Sequence, residues 1–265
     1  MYAFTYHRPT SLADAAKLAG AHSDGKVIAG GMTLLPTMKQ RLAAPSDIID
    51  LSRLDDLRGI EVKDNVVTIK ALTRHVTVAN SAEVKKAIPA LAELAGMIGD
   101  PAVRNKGTIG GSVANNDPAA DYPSACLALN ATIHTNQRAI KADDFFVGLF
   151  ETALGEGELI TAISFPVPQK ANYQKFRNPA SRYAIVGTFV AKFADGVRVS
   201  VTGAGSSGVF RVADFEKALS ANFASSALDG KSVAASGLNS DIHADAAYRA
   251  HLITVMAKRA VDAAK

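Results

Sequence analysis

The chain of 265 residues has a single cysteine, Cys126. That excludes an internal disulfide, and it excludes an iron–sulfur cluster held by this chain alone, which takes about four thiolates. The lack of disulfides fits a reducing cytoplasm. No window approaches ~18 consecutive apolar residues, which rules out a transmembrane helix. The opening Met1-Tyr2-Ala3-Phe4 has no basic stretch feeding an apolar run, so no secretory signal is expected. Basic residues are scattered without a run, and 29 Lys plus Arg against 25 Asp plus Glu leave a net charge of only +4, so no nucleic-acid partner is expected. Six histidines occur without H-x-H or H-E-x-x-H spacing, and no zinc site is expected. There is no G-x-S-x-G nucleophile elbow and no P-loop. No catalytic residue and no metal ligand emerges from these patterns.

What is present is an ordinary globular composition, 48% hydrophobic and 20% charged, with 20 Gly and 10 Pro. The N-terminal stretch alternates helix and strand. Thr10 or Ser11 caps a helix running to Ala19, Lys26 to Ala29 is a strand stopped by Gly30-Gly31, and Asp47 to Leu51 is another strand. Arg58 to Val62 and Val66 to Ala71 flank an Asp64-Asn65 turn. Val84 to Gly99 reads as two helices broken at Pro89. Asp100 to Pro123 reads as a long polar loop, and Leu127 to Thr135 and Ile160 to Phe165 as strands. Pro166-Val167-Pro168 marks a boundary. Beyond it, Tyr183 to Phe193 and Val197 to Thr202 form a hairpin about Asp195-Gly196, and Ala244 to Ala264 is helical.

Chemistry concentrates in two glycine loops. Ala29-Gly30-Gly31-Met32-Thr33-Leu34 follows a strand, and paired glycines let the backbone approach a ligand and turn successive N–H groups to one side, as a diphosphate requires. Thr108-Ile109-Gly110-Gly111-Ser112 and the following Asn115, Asp117 and Asp121 pair a second such turn with hydroxyls, amides and carboxylates. Asp121 is placed to accept from sugar hydroxyls, Asp117 to form a turn before Pro118. A third cluster, Gly203-Ala204-Gly205-Ser206-Ser207-Gly208, matches G-x-G-x-x-G. It follows half of a hairpin and precedes a strand, so a dinucleotide fingerprint is not expected there. Cys126 sits in an apolar run and reads as a buried small residue.

The two loops together, with Asp117-Pro118-Ala119-Ala120-Asp121, the opening Phe4-x-Tyr6-x-x-Pro9-Thr10-Ser11-Leu12 and Glu158-Leu159-Ile160-Thr161-Ala162-Ile163, resemble the FAD-binding medium subunits of the molybdenum hydroxylases, as in aerobic carbon monoxide dehydrogenase and its xanthine and aldehyde dehydrogenase relatives. The resemblance implies an α+β protein. Its FAD domain would be of the vanillyl-alcohol-oxidase (PCMH) type with two α/β subdomains, residues 1–55 and 56–167, before a C-terminal domain of antiparallel sheet and helices, 168–265. It implies that Ala29, Gly30, Gly31, Met32, Thr33 and Leu34 wrap the diphosphate of FAD, that Thr108, Gly110, Gly111 and Ser112 grip it with Asn115 nearby, and that Asp121 takes sugar hydroxyls. Ile98 and Ile160 pack near the flavin or adenine, and Lys175 and Tyr183 flank the isoalloxazine ring. Many relatives carry His and Ser where this chain has Met32 and Thr33. The implied partners are a small 2Fe–2S subunit and a large molybdopterin subunit in a cytoplasmic dimer of heterotrimers, with electrons passing through FAD to an external acceptor. A stand-alone flavoenzyme of the same fold and a non-catalytic binding module are the alternatives.

Overall fold

The structure, a computed structural model, describes Met1–Lys265. Its first unit is a parallel sheet of three short strands, Thr5–His7, Lys26–Ile28 and Asp47–Asp50, with Asp47–Asp50 in the middle. Parallel neighbours need crossovers. The helices Leu12–Ala21 and Leu34–Lys39 lie on those connections. Ser11 caps the first helix by accepting from the Asp14 N–H at 3.1 Å. Ala15 on that helix, Ile49, Leu51 and Leu54 make a small core completed by Leu57, Leu72 and Leu159 from the next unit. The Gly30-Gly31 turn sits just beyond the carboxyl end of Lys26–Ile28, where open parallel sheets bind ligands.

The second unit is a five-stranded antiparallel sheet in the order Ile60–Lys63, Val66–Lys70, Ile160–Pro166, Thr132–Thr135, Ala139–Lys141. Asp64 and Asn65 both take positive φ, 50° and 61°, as a two-residue hairpin turn demands. Pro89 opens the helix Pro89–Gly96 directly after Ala82–Ala87, so the expected break is there. Two expectations fail. Asp100 to Pro123 is not a long loop: it holds the helices Pro101–Lys106 and Ile109–Asn115 and the start of Tyr122–Ala128. Asp100 Oδ1 accepts from the Val103 N–H at 2.9 Å and Thr108 Oγ1 from the Gly111 N–H at 3.2 Å, so residues read as loop formers act as helix caps. Leu127 to Thr135 is not one strand either. The helix runs through Ala128, the chain turns at Asn130 (φ 52°), and only Thr132–Thr135 is extended. All residues of Tyr122–Ala128 are buried, so no polar face exists to reveal a helical period.

The last unit is a four-stranded antiparallel sheet of Lys170–Arg177, Ala184–Phe193, Gly196–Thr202 and Phe210–Arg211, covered by the helices Ala213–Ala221 and Ala246–Ala263. Strand Ala184–Phe193 is buried on both faces. Val190 enters the core under those helices, while its neighbours Phe189 and Ala191 join Tyr173 and Ala171 in the main core of the second unit. The G-x-G-x-x-G match forms the turn between two antiparallel strands, with Gly203 at φ 82°, and opens no helix.

Candidate functional site

The three units meet at one cleft of about 820 Å³. Ala29, Gly30, Gly31, Met32, Thr33 and Leu34 line it from the first unit. Ile98, Thr108, Gly110, Gly111, Ser112, Asn115, Asp121 and Ile160 line it from the second, and Lys175 and Tyr183 from the third. The fold therefore gathers every one of these sequence-selected residues around one space, from Ala29 to Tyr183, 154 positions apart.

The two glycine loops do different things. In the first, the backbone N–H groups of Gly30, Gly31, Met32 and Thr33 have no acceptor anywhere in the chain. Consecutive unpaired amides of this kind form an anion-binding concavity. Gly31 takes φ 72°, which a side chain would strain. Gly30 is required for another reason: a Cβ there would lie 2.0 Å from the Lys106 carbonyl oxygen, so the two loops touch backbone to backbone.

The second loop is not an amide cradle. The Ile109 N–H donates to Thr73 O at 3.1 Å, Gly110 to Ala71 O at 2.9 Å and Ser112 to Thr108 O at 3.0 Å, and Gly111 is taken by the Thr108 cap. Gly110 lies so close to Ala71 that a Cβ would clash with its backbone. What this loop offers the cleft is side-chain chemistry, the Ser112 hydroxyl and the Asn115 amide, with the Gly111 backbone bare beside the Thr108 hydroxyl.

The cleft lining also carries charge. Lys175 Nζ donates to Asp121 Oδ2 at 2.8 Å and to the Met97 carbonyl at 3.3 Å, with side chains 1% and 5% exposed for the ion pair. The Tyr173 hydroxyl donates to the other Asp121 oxygen at 2.5 Å. Burial pushes the Asp121 carboxyl above the ordinary carboxylate range, and the Lys175 ammonium and Tyr173 hydroxyl oppose that shift. Both Asp121 oxygens are thus engaged inside the chain, where the sequence reading had them facing sugar hydroxyls. Tyr183 stands half exposed at the rim, after Arg182 at φ 64°. Asp117 accepts from the Ala119 N–H at 2.8 Å, the turn expected before Pro118.

Two cleft residues escaped the sequence reading. His75, 4% exposed, is held neutral by burial, its imidazole lowered to about 4, and its Nδ1 has no partner. Glu158 is held down at about 2, chiefly by hydrogen bonds from Arg138 at 2.9 and 3.0 Å. His75 lies in no glycine turn, and Glu158 closes the Gly155 to Glu158 turn, where it reads as a turn residue and not as a site residue. Cys126 is fully buried and burial pushes its thiol up.

A cleft lined by a backbone turn with unpaired amides, apolar side chains including Ile98, Leu154 and Ile160, and a buried ammonium suits a long ligand that carries phosphate and rings. The fold and cleft define a flavin-nucleotide-binding α+β protein. Residues 2–168 match the family described as the FAD binding domain in molybdopterin dehydrogenase. The carbon monoxide dehydrogenase medium chain of Hydrogenophaga pseudoflava is 34% identical over 98% of this chain and 96% of its own length. The nicotine 6-hydroxylase medium subunit of Paenarthrobacter nicotinovorans is 35% identical with the same coverage. A crystal structure of carbon monoxide dehydrogenase from Hydrogenophaga pseudoflava superposes with a TM-score of 0.89, at 34% identity, over 98% of this chain and 96% of that one. The chain belongs to the FAD-binding medium subunits of the molybdenum hydroxylase family, carbon monoxide dehydrogenase-like oxidoreductases, and its cofactor is FAD. No helix is long and apolar enough to cross a membrane.

Proposed function

We propose that the chain holds FAD along this cleft and carries electrons from the 2Fe–2S clusters of a small subunit to an external acceptor, while a large molybdopterin subunit oxidises the substrate. When bound, FAD supplies the link between one-electron delivery and two-electron release. The chain's own part is to bind, orient and shield. The Gly30 to Thr33 amides, flanked by Ala29 and Leu34, receive the diphosphate. Thr108, Ser112 and Asn115 add side-chain contacts from the facing helix, with Gly110 and Gly111 keeping it close. Ile98 and Ile160 bound the ring ends, and Lys175 sets a positive charge, dry and fixed by Asp121, beside the isoalloxazine together with Tyr183. The relatives' names span carbon monoxide and nicotine. In this reading the substrate is chosen in the large subunit, and the cytoplasmic assembly is a dimer of heterotrimers.

The observation that carries the reading is the run of unpaired amides from Gly30 to Thr33 opening into a cleft with apolar walls. The test is co-purification from the native cell with flavin, iron and molybdenum analysis. A chain that brings down an iron–sulfur subunit and a molybdenum subunit and releases one FAD on denaturation supports it. A flavin-containing chain that purifies alone and turns over its own substrate overturns it in favour of a stand-alone oxidoreductase.

A further inference from the structure

Outside the cleft, one cluster of ligand-bearing side chains has no part in this function. His7 ends the strand Thr5–His7, His22 follows the helix Leu12–Ala21, and Asp47 opens the strand Asp47–Asp50. Their side chains converge: His7 Nε2 lies 2.6 Å from Asp47 Oδ1 and His22 Nδ1 lies 3.3 Å from Asp47 Oδ2. The two imidazoles stack with centroids 5.2 Å apart at 29°. One ligand atom from each residue falls within 4.8 Å of the others.

We propose that His7, His22 and Asp47 bind a divalent transition-metal ion of the zinc class. Two imidazole nitrogens and a carboxylate oxygen form the donor set that suits zinc, cobalt and nickel, with water completing a four-coordinate shell. The side chains are 23%, 33% and 11% exposed, so an ion has a path in and a solvent-facing position for that water. Asp47 opens the central strand level with Thr5, and His7 stands two positions further along, level with Ile49 and Val27. None of the three side chains lines the cleft, so the ion is separate from it.

Its role is a staple. The first unit is cored by a cluster of only 7 buried residues, three of them lent by the second unit. Small units of this kind commonly add a metal to supplement a thin core. The ion would tie together a strand end, a helix end and the central strand. Motif spacing could not find it, because the ligands come from three elements.

The experiment uses the full chain stripped with a chelator, titrated with Zn²⁺ alone by calorimetry and with Co²⁺ by its visible d–d absorption. Saturable uptake of one equivalent is expected, with a rise in Tm of about 5 °C at saturation. His7→Gln and His22→Gln should each weaken uptake at least about 10-fold, and the double variant should abolish it. FAD content should not change, because neither histidine lines the cleft. His22 is a third exposed, and circular dichroism verifies that each variant is folded. Absence of saturable uptake by the wild type, or equal uptake by the folded double variant, overturns the site and leaves a hydrogen-bonded cluster only.

Discussion

Lys175 and Asp121, 54 residues apart, form an ion pair 2.8 Å long whose side chains are almost wholly withdrawn from water. Breaking such a pair by removing one partner costs about 3–5 kcal/mol, because the remaining charge stays buried. Asp121→Ala should therefore lower the stability of the apo chain by that order. Asp121→Asn with Lys175→Met should recover much of the loss, since the double change removes both charges. Asp121→Ala and Lys175→Met should each weaken FAD binding about 10- to 100-fold. Denaturant unfolding and FAD titration of the set check this, and wild-type FAD affinity in Lys175→Met would remove the ammonium from the flavin end.

Gly30 and Gly111 should separate packing from binding. Gly30→Ala drives a Cβ into the Lys106 carbonyl and should disrupt the seam between the first two units, seen as poor expression or early proteolysis. Gly111→Ala meets only the Thr108 hydroxyl at 3.0 Å and Ala29 Cβ at 3.8 Å, so the chain should fold. Its new methyl narrows the cleft, and FAD affinity should drop about 10-fold. A folded Gly111→Ala protein with full flavin occupancy would place the ligand elsewhere.

The amide turn predicts a simple ligand preference. The apo chain should bind ADP at least about 10-fold more tightly than adenosine, because charge-assisted hydrogen bonds to phosphate contribute about 1.5–3 kcal/mol. Inorganic pyrophosphate should compete with ADP. Equal affinity for ADP and adenosine by calorimetry would mean that the Gly30 to Thr33 amides face no phosphate.

His75 sets a pH window. Its folded imidazole is lowered to about 4 from 6.5, so the unfolded chain takes up a proton first as pH falls. The stability due to neutral burial is whole above pH 6.5 and is lost as pH falls towards 4, by about 3 kcal/mol in total. Glu158 acts lower down: held at about 2, it loses its contribution only as pH falls from 4.5 through 2. His75→Leu should flatten the stability of the apo chain between pH 6.5 and 4 and leave the lower fall in place. An unchanged slope in the upper window would show that His75 is not the group that titrates.

Arg249 provides a control remote from the cleft. It is 3% exposed and donates to Ile185 O at 2.6 Å, Gly203 O at 3.0 Å and Asp241 at 2.7 Å. Arg249→Met should cost about 3–5 kcal/mol in unfolding experiments while leaving FAD affinity within about 2-fold. A large loss of FAD affinity at full folding would tie the last helix to the site directly.

Local chemistry made much of this architecture readable. Ser11, Pro89, Asp64-Asn65 and Asp195-Gly196 each act on backbone within a few residues of themselves, so the cap, the helix break and the two turns can be read without knowing the fold. The helices after Asp100 and Thr108 were missed because caps and loop formers are the same residue types. Tyr122–Ala128 was missed because a helix buried all round has no period to detect. The two glycine loops are legible from their own chemistry, while Ile98, Ile160, Lys175 and Tyr183 are legible only through the resemblance. His75, Glu158 and the pairing of Asp121 with Lys175 depend on contacts between distant segments, and the spent amides of Gly110 and Ser112 depend on where Ala71 and Thr108 lie.

Strand Ala184–Phe193 belongs to two cores at once, and the segment that brings Lys175 and Tyr183 to the cleft is held by it. A chain that has emerged from the ribosome only as far as Pro168 therefore carries the amide turn but has no floor to its cleft. Its Tyr122–Ala128 helix would also lack the sheet it packs against. Tight cofactor loading must then follow synthesis of the whole polypeptide, and a tightly held flavin certifies that the last hundred residues have been made and have docked.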